Sequence, residues 1–235
     1  MFLFSCKYVS NSPVKRTVDS ILEFHPNEKI VIVDSQSDDQ TYDKIFVDYN
    51  NVEILYNINK HRVPGAFYQV CKRYPEEPYY VNIQDCVLIK KSLQPWIDSS
   101  DEFISFMYFH DWVQEKHKEE YQYMERVLSG TKYEGIIPEP SCLGQETFYG
   151  CFGPLYIIKN SLMKKIMNSG VLEKMKSTCK LHDELGERLF GLIASYEGYP
   201  PEKYNIEGDF KNSEKYSQLL SDNLEYFTKI FLGRQ

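Results

Sequence analysis

Short apolar segments alternate with helix-like segments over residues 1–110, and this alternation constrains the fold more than any other feature of the sequence. The clearest apolar segment is the β-branched run Ile30–Val33, which is short and apolar throughout. Parallel strands that are buried on both faces of a sheet have this pattern. The same reasoning predicts further strands in this half of the chain, at 2–8, 52–56, 79–83 and 103–109.

Helix-like segments fill the spaces between these strands. Pro13 suits the first turn of a helix, and Val14, Val18 and Ile21 then fall on one helical face. Another helix is predicted over 64–74. The alternation predicts an α/β fold, with a mostly parallel central sheet flanked by helices. Ligands of such sheets bind beyond the carboxyl ends of the strands.

The second half of the chain is less regular. Helices are predicted at 114–129, 182–197 and 213–231, and a strand at 155–158. The segment 131–153 is rich in Gly, Pro, Cys and aromatic residues and is predicted to be a loop that packs over part of the fold. Because no repeat, low-complexity segment or long linker interrupts the sequence, a single domain over residues 1–235 is expected.

Charge and composition argue against several classes of protein. The chain has 27 Lys and Arg against 34 Asp and Glu, a formal net charge of −7, so a nucleic-acid partner is not expected. No apolar run approaches the roughly 18–20 residues that span a bilayer, so no membrane span is expected. The six cysteines form no CxxC pair and there is no Asn-x-Ser/Thr sequon, which favours a reducing, cytoplasmic setting.

The segment 31–41 runs from a strand into an acidic, Ser-rich turn. This pattern resembles the second-strand signature of GT-A glycosyltransferases. The resemblance implies that Asp34, with Ser35 and Asp38 beside it, holds the base or ribose of a nucleotide. A carboxylate can accept a hydrogen bond from a uracil N–H or a ribose hydroxyl. A turn whose aspartate caps the next helix fits the same residues.

A second match to the GT-A pattern is the segment 57–66, which follows the third predicted strand. The resemblance places this turn near the nucleotide and its phosphates, with Asn59, Lys60 and Arg62 as donor ligands. Gly65 allows the backbone to approach closely at a helix N-terminus. A loop of solvated basic side chains is the alternative interpretation.

The third match, Gln84-Asp85-Cys86, takes the place of the Asp-x-Asp motif of GT-A enzymes. The resemblance implies a divalent cation here, Mn²⁺ or Mg²⁺, which bridges a protein carboxylate and the diphosphate. Asp85 is the predicted metal ligand, and Gln84 is predicted to bind the ribose or a metal-bound water. Cys86 is a soft ligand that suits neither ion, so the sequence departs from the family pattern at this turn.

Two clusters are predicted to border the sugars. The segment 144–153 is rich in glycine and aromatic residues and resembles the loop beside donor sugar and acceptor, with Phe152 and Gly153 as binding residues. His110 and Asp111 end the fifth predicted strand and are predicted to line the acceptor site. The alternatives are a tight turn before a core strand for 144–153 and, for the segment 110–112, a packing role for Trp112.

Acidic residues open the predicted helix 182–197. In inverting GT-A enzymes an acidic residue at this place is the general base that removes the acceptor hydroxyl proton. The resemblance therefore implies Asp183 or Glu184 as the catalytic residue. First-turn acids that favour the helix dipole are the alternative, as is a surface ion pair between Glu184 and Arg188.

Together these matches predict a metal-assisted, inverting glycosyltransferase that moves a sugar from a nucleotide-sugar donor, expected to be a UDP-sugar, to a glycan or other hydroxyl acceptor. Residues 1–110 would form the nucleotide-binding half, 111–200 the acceptor and catalytic half, and 201–235 a C-terminal extension. A non-catalytic glycan- or protein-binding relative is the first alternative, since the Asp-x-Asp motif is incomplete. A sugar nucleotidyltransferase is the second, although no glycine-rich loop follows the first strand.

Overall fold

The computed structural model describes residues 1–6, 13–35, 42–56, 62–111, 118–138 and 148–230. The strands in these residues are β1 Phe2–Cys6, β2 Ile30–Asp34, β3 Val52–Leu55, β4 Tyr79–Asn82, β5 Val87–Ile89, β6 Phe103–Ser105, β7 Tyr108–Asp111, β8 Phe148–Cys151, β9 Tyr156–Lys159 and β10 Phe227–Lys229. The helices are α1 Val14–Phe24, α2 Tyr42–Ile45, α3 Arg62–Arg73, α4 Gln94–Ile97, α5 Lys118–Leu128, α6 Asn160–Asn168, α7 Val171–Lys174, α8 Lys180–Tyr196 and α9 Ser213–Leu220. None of the described helices is both long and apolar enough to cross a bilayer.

Six strands form the central sheet, in the order β3-β2-β1-β4-β9-β6. β1 pairs in parallel with β2 and β4, and β2 pairs in parallel with β3. β9 is antiparallel to both of its neighbours, β4 and β6. The prediction of a mostly parallel sheet flanked by helices is confirmed. β5 with β10 and β7 with β8 form separate antiparallel pairs.

Both faces of the central sheet are buried. Val31 and Val33 belong to a hydrophobic cluster that also contains residues of α3, α5 and α8. Ile30 and Ile32 belong to the cluster that contains residues of α1. Successive residues of a strand point to opposite faces, and all four of these side chains are 0% exposed. The apolar run at 30–33 therefore is the strand with two buried faces that the sequence predicts.

The fifth predicted strand, 103–109, is wrong as a single element. Phe103–Ser105 is β6 of the central sheet, whereas β7 begins at Tyr108 and pairs with β8. The chain bends at Phe106 and Met107, whose side chains are completely buried. The uninterrupted apolar pattern concealed this bend, because core residues in a bend look like core residues in a strand.

The predicted helix 213–231 is also wrong beyond its first half. α9 is capped by the Asn212 side chain and ends at Leu220. Asp222 then takes a positive φ of 59°, which turns the chain away from the helical path. The following residues form β10, which pairs with β5 and buries Phe227 completely. The aromatic and β-branched residues of this segment pack better in the strand than in an extended helix.

The predicted helices and the strand between residues 114 and 197 agree with the structure where it is described. The predicted helix 182–197 is α8, and the strand 155–158 is β9 within one residue at each end. Lys118–Leu128 of the predicted helix 114–129 is described and helical. The predicted loop 131–153 is wrong near its end, where Phe148–Cys151 forms β8 by pairing with β7.

α8 packs against β8 at unusually close range. A Cβ atom added to Gly191 would lie 2.1 Å from the carbonyl oxygen of Tyr149 and 2.7 Å from Cα of Gly150. Real Cβ atoms do not approach backbone so closely, so the helix can occupy this position only with glycine at 191. This contact fixes the depth at which α8 lies and therefore where its polar residues point.

We expect Gly191→Ala to destabilise the fold by about 2 kcal/mol or more, because a backbone obstacle cannot swing aside. The melting temperature should fall by roughly 4–8 °C, measured by thermal unfolding. Gly186→Ala on the same helix is the matched control, since its added Cβ would meet only side-chain atoms of Met175 and Pro64 at 3.6 Å. Alanine is the better helix former by about 1 kcal/mol, so Gly186→Ala should keep or raise stability. Equal melting temperatures for the two variants would contradict the close contact.

Candidate functional site

A cavity of about 650 Å³ opens at the carboxyl ends of β1 and β4. Ser5 near the end of β1 and Asn82 at the end of β4 reach it, and so does Tyr156. Tyr156 is the first residue of the antiparallel strand β9 and lies opposite Asn82 in the register. The topology of the sheet thus brings three polar side chains together at the edge where α/β sheets bind ligands.

Buried polar atoms lie beneath the floor of the cavity, and none of them forms a hydrogen bond of good geometry with a described residue. These are both side-chain atoms of the Asn82 amide and the hydroxyl of Tyr156. The Asn82 side chain is nevertheless near enough to the Tyr156 hydroxyl to oppose the rise that burial causes in its pKa. Asn82 is 1% exposed and Tyr156 0%. A buried polar group without a partner costs about 1–3 kcal/mol. Such groups beside a cavity are typical of a surface that is completed by a ligand or by ordered water.

The turn Gln84–Cys86 follows β4 and lines the cavity with all three residues. Thr17 of α1 holds the turn, since its hydroxyl donates a hydrogen bond of 2.8 Å to the carbonyl oxygen of Asp85. Gln84 packs beside Gly153, where an added Cβ would lie 3.3 Å from the Gln84 amide nitrogen. The turn predicted to face the diphosphate therefore lies in the wall of the cavity.

The side chains at this turn do not fit the divalent cation that the resemblance implies. Asp85 is the single carboxylate, whereas Mg²⁺ and Mn²⁺ favour several hard oxygen ligands. Cys86 offers a soft sulfur atom, which suits neither ion. Among the described residues no group of three or more His, Cys, Asp or Glu is placed to hold a metal ion. Asp85 as a metal ligand stays a prediction.

The first turn of α8 brings both predicted catalytic acids to the cavity. Asp183 accepts a hydrogen bond of 2.6 Å from the Ser177 hydroxyl on Oδ1 and an ion pair of 2.6 Å from Arg62 on Oδ2. Burial raises the pKa of Asp183, and these two partners oppose that shift. Both oxygens of this carboxylate are therefore engaged, and Arg62 is held at the cavity by it.

Glu184 lines the cavity with a freer carboxylate. Its Oε1 lies 3.3 Å from Nζ of Lys180, and its side chain is 43% exposed. The surface ion pair with Arg188, one of the alternatives raised by the sequence, is replaced by another contact. The Arg188 guanidinium donates a hydrogen bond of 3.0 Å to the backbone carbonyl of Glu184.

Glu187 is a third acid of α8 that lines the cavity, and it was not among the predicted site residues. Its carboxyl group accepts a hydrogen bond from the backbone N–H of Gly153, and burial raises its pKa to about 7. The signal was present in the sequence, because positions 183, 184 and 187 share one face of a helix. The positive φ of 57° at Gly153 belongs to the turn that delivers this N–H.

Positive side chains form another part of the wall. We call Arg188, Lys211 and Lys229 the cationic wall. Arg188 and Lys211 lie 5.6 and 5.5 Å from the centre of the Phe109 ring. Lys229 lies 5.1 Å from the centre of the Phe152 ring, which stacks on Phe210 at 3.8 Å. All six of these residues line the cavity.

The other predicted site residues divide into three groups. Phe152 and Gly153 line the cavity, and Gly65 is buried in the first turn of α3 beside it. Asp34 is completely buried and accepts a hydrogen bond of 3.2 Å from the Tyr42 hydroxyl, while Ser35 is hydrogen bonded to Ser5 in the cavity wall. Asp38, Asn59 and Lys60 lie outside the described residues.

His110 and Asp111 end β7 rather than a strand of the central sheet. The neighbouring Phe109 reaches the cavity, and His110 follows it on the opposite face of the strand. Nδ1 of His110 lies 3.3 Å from Oδ2 of Asp209. The described part of the cavity wall does not include His110. Asp111 is described in its backbone only.

Comparison with known proteins identifies the fold. No protein-family model matches the chain, and no curated protein sequence does. The apo form of the glycosyltransferase GlyE from Streptococcus pneumoniae TIGR4 superposes on 99% of this chain with a TM-score of 0.54 and 11% identity. The bifunctional glycosyltransferase WbbM superposes on 100% of it with a TM-score of 0.51 and 9% identity. This chain covers 54% of the GlyE chain and 46% of the WbbM chain, about half of each. At these identities the likeness shows the fold, which is GT-A-like.

We expect Glu187 to make stability depend on pH. Its folded pKa of about 7 lies above the ordinary value of 4.5, so its contribution to stability is complete below about 4.5 and is lost as the pH rises to about 7. Glu187→Gln keeps an acceptor for the Gly153 N–H but cannot titrate. Between about pH 5 and about pH 8 the stability of this variant relative to wild type should rise by up to about 3 kcal/mol, measured by denaturant unfolding. A difference that stays constant across this range would show that Glu187 is not perturbed.

Proposed function

We propose that this chain transfers a sugar from a nucleoside diphosphate sugar, a UDP-sugar, to a hydroxyl group of a glycan acceptor with inversion at the anomeric carbon. The observation that carries the proposal is the cavity at the carboxyl ends of β1 and β4, with the buried polar atoms of Asn82 and Tyr156 beneath its floor. Acidic and basic side chains share the walls of the same cavity. The GT-A-like fold agrees with this function but does not by itself establish it.

The donor sugar is proposed to lie on the cavity floor. A sugar ring presents hydroxyl groups that both donate and accept hydrogen bonds, as the amide of Asn82 and the hydroxyl of Tyr156 do. Glu187 adds a carboxyl group that at neutral pH is populated in both protonation states. The nucleoside would extend toward Ser5 and Ser35, and the diphosphate toward the turn Gln84–Cys86.

The acceptor hydroxyl is proposed to enter at the mouth of the cavity beside α8. Its oxygen attacks the anomeric carbon while the bond from that carbon to the diphosphate oxygen breaks, and the electron pair of that bond leaves with the diphosphate. The hydroxyl proton passes to a carboxylate. We assign this role to Glu184, because both oxygens of Asp183 are held by Ser177 and Arg62. Asp183 then positions Arg62 at the cavity.

A thermal-shift panel tests the donor class. UDP, GDP and dTDP are compared with UDP-glucose, UDP-galactose and UDP-N-acetylglucosamine. At about 100 times the Kd a ligand adds roughly 2.7 kcal/mol, which raises the melting temperature of a chain this size by about 5–11 °C. We expect UDP to raise the melting temperature and one UDP-sugar to raise it further. Absence of a shift with every compound would contradict the proposal and favour a non-catalytic glycan- or protein-binding relative.

Asn82→Leu is the control variant for the sugar in this panel. Leucine has a similar volume and no polar atoms to leave unpaired, so the ligand-free variant should be at least as stable as wild type. We expect it to keep the shift caused by UDP and to lose the additional shift caused by the UDP-sugar. An unchanged response to the UDP-sugar would remove Asn82 from the donor site.

Amide variants of the three acids on α8 test the catalytic assignment in steady-state transfer kinetics with the donor that the panel identifies. Glu184→Gln should lower kcat by about 10²–10⁴-fold, the usual contribution of a general base, with little change in donor KM. Glu187→Gln should mainly raise donor KM. Asp183→Asn should give a smaller fall in kcat than Glu184→Gln. If Asp183→Asn instead gave the large fall and Glu184→Gln did not, Asp183 would be the base.

A further inference from the structure

The last described strand brings a lysine to the turn where GT-A enzymes are expected to hold a metal ion. β10 pairs with β5 so that Lys229 stands opposite Val87, the residue after Cys86. The next backbone N–H, that of Ile230, donates a hydrogen bond of 2.8 Å to the carbonyl oxygen of Cys86. Lys229 is thereby fixed beside the turn by backbone pairing, and its side chain lines the cavity.

Lys229 lies between the turn and α8. Its strand is held beside the turn by backbone pairing, and its charge opposes the rise that burial causes in the pKa of Glu187 on α8. Its distance of 5.1 Å from the centre of the Phe152 ring agrees with this placement.

The balance of charge in the cavity favours an anion. Its described lining includes five basic side chains and four acidic ones, in a chain whose formal net charge is −7. Two acids, Asp183 and Glu184, form ion pairs with Arg62 and Lys180. A third, Glu187, is partly protonated at neutral pH, because its pKa is about 7. The fourth acid, Asp85, stands in the turn itself, and the described lining has one more basic side chain than acidic ones.

We propose that Lys229, supported by Arg188 and Lys211, supplies the positive charge that the GT-A resemblance assigns to a divalent cation, and that this chain binds the donor diphosphate without a metal ion. The inference rests on the proposed function and concerns the same cavity. It follows from the misfit of the turn Gln84–Cys86 to Mn²⁺ or Mg²⁺ and from the lysine that stands beside that turn.

The chemical role of these cations follows from the reaction. When the bond between the anomeric carbon and the diphosphate oxygen breaks, the electron pair remains on the leaving diphosphate, whose negative charge grows. A cation already fixed beside the phosphates lowers the free energy of this charge without reorganising at the moment of reaction. An ammonium group also donates up to three hydrogen bonds to phosphate oxygens.

Calorimetric titration with UDP tests the inference. GDP or dTDP replaces UDP if it raises the melting temperature more in the thermal-shift panel. Wild type is titrated in excess EDTA and again in Mn²⁺, and we expect the same Kd within about twofold. In EDTA, Lys229→Met should weaken binding by about tenfold or more, whereas Lys229→Arg should retain it, because arginine keeps the charge. Thermal unfolding of each variant without ligand verifies that it is folded.

Lys91→Met is the matched control. Lys91 lies just after β5, pairs with Glu225 at 2.7 Å and is 54% exposed. Its substitution removes one positive charge just beyond the strand with which β10 pairs, so the net charge of the two variants is matched. We expect an unchanged Kd. If Lys91→Met weakened binding as much as Lys229→Met does, the specific role of Lys229 would be overturned.

The remaining outcomes separate this inference from the proposed function. Binding that is seen in Mn²⁺ and lost in EDTA would overturn the inference and leave the proposed function standing. Binding by Lys229→Met that equals wild type in EDTA would do the same. Absence of diphosphate binding by wild type under both conditions would overturn the proposed function, and the inference with it.

Discussion

The contact between α8 and β8 determines where the functional groups of the cavity lie. At Gly191 the helix touches the backbone of Tyr149 and Gly150, so its depth is set by main chain rather than by adjustable side chains. β8 continues directly into the turn at Gly153, whose N–H meets the Glu187 carboxyl group. One packing contact therefore sets the helix that carries the acids and the turn that binds one of them. Because protein interiors are close-packed and hardly compressible, the position of α8 at Gly191 also fixes the position of Glu187 on the same helix.

The central sheet gives this arrangement a rigid base. Each face of the sheet is covered by a hydrophobic cluster, so neither face is exposed to solvent. At its carboxyl edge the same sheet ends in Asn82 and Tyr156, whose buried polar atoms find no partner among the described residues. Such atoms lower stability by an amount that a large core can offset. These atoms therefore lower the stability of the fold, and the proposed donor sugar would provide hydrogen bonds for them.

Much of the fold could be predicted because its evidence is local. The run at 30–33 and the spacing of apolar residues in α1 and α8 report burial directly, whereas Asp183, Glu184, Asp85 and Gln84 were implied by the resemblance to GT-A enzymes. Lys229 could not be found in this way, since a pairing between β10 and β5 joins segments about 140 residues apart. Tyr156 looked like any apolar strand residue, because only the antiparallel register of β9 places it opposite Asn82. Non-local register is the information that a single sequence does not display.

The two ends of the chain contribute to the cavity in complementary ways. Thr17 of α1 holds the turn Gln84–Cys86 from one side by its bond to the Asp85 carbonyl. On the other side, the backbone of β10 pairs with β5 directly after the same turn. A turn that is fixed twice by protein hydrogen bonds does not require a metal ion to order it. The positive charge beside the turn can then come from a side chain of β10, and Lys229 is that residue.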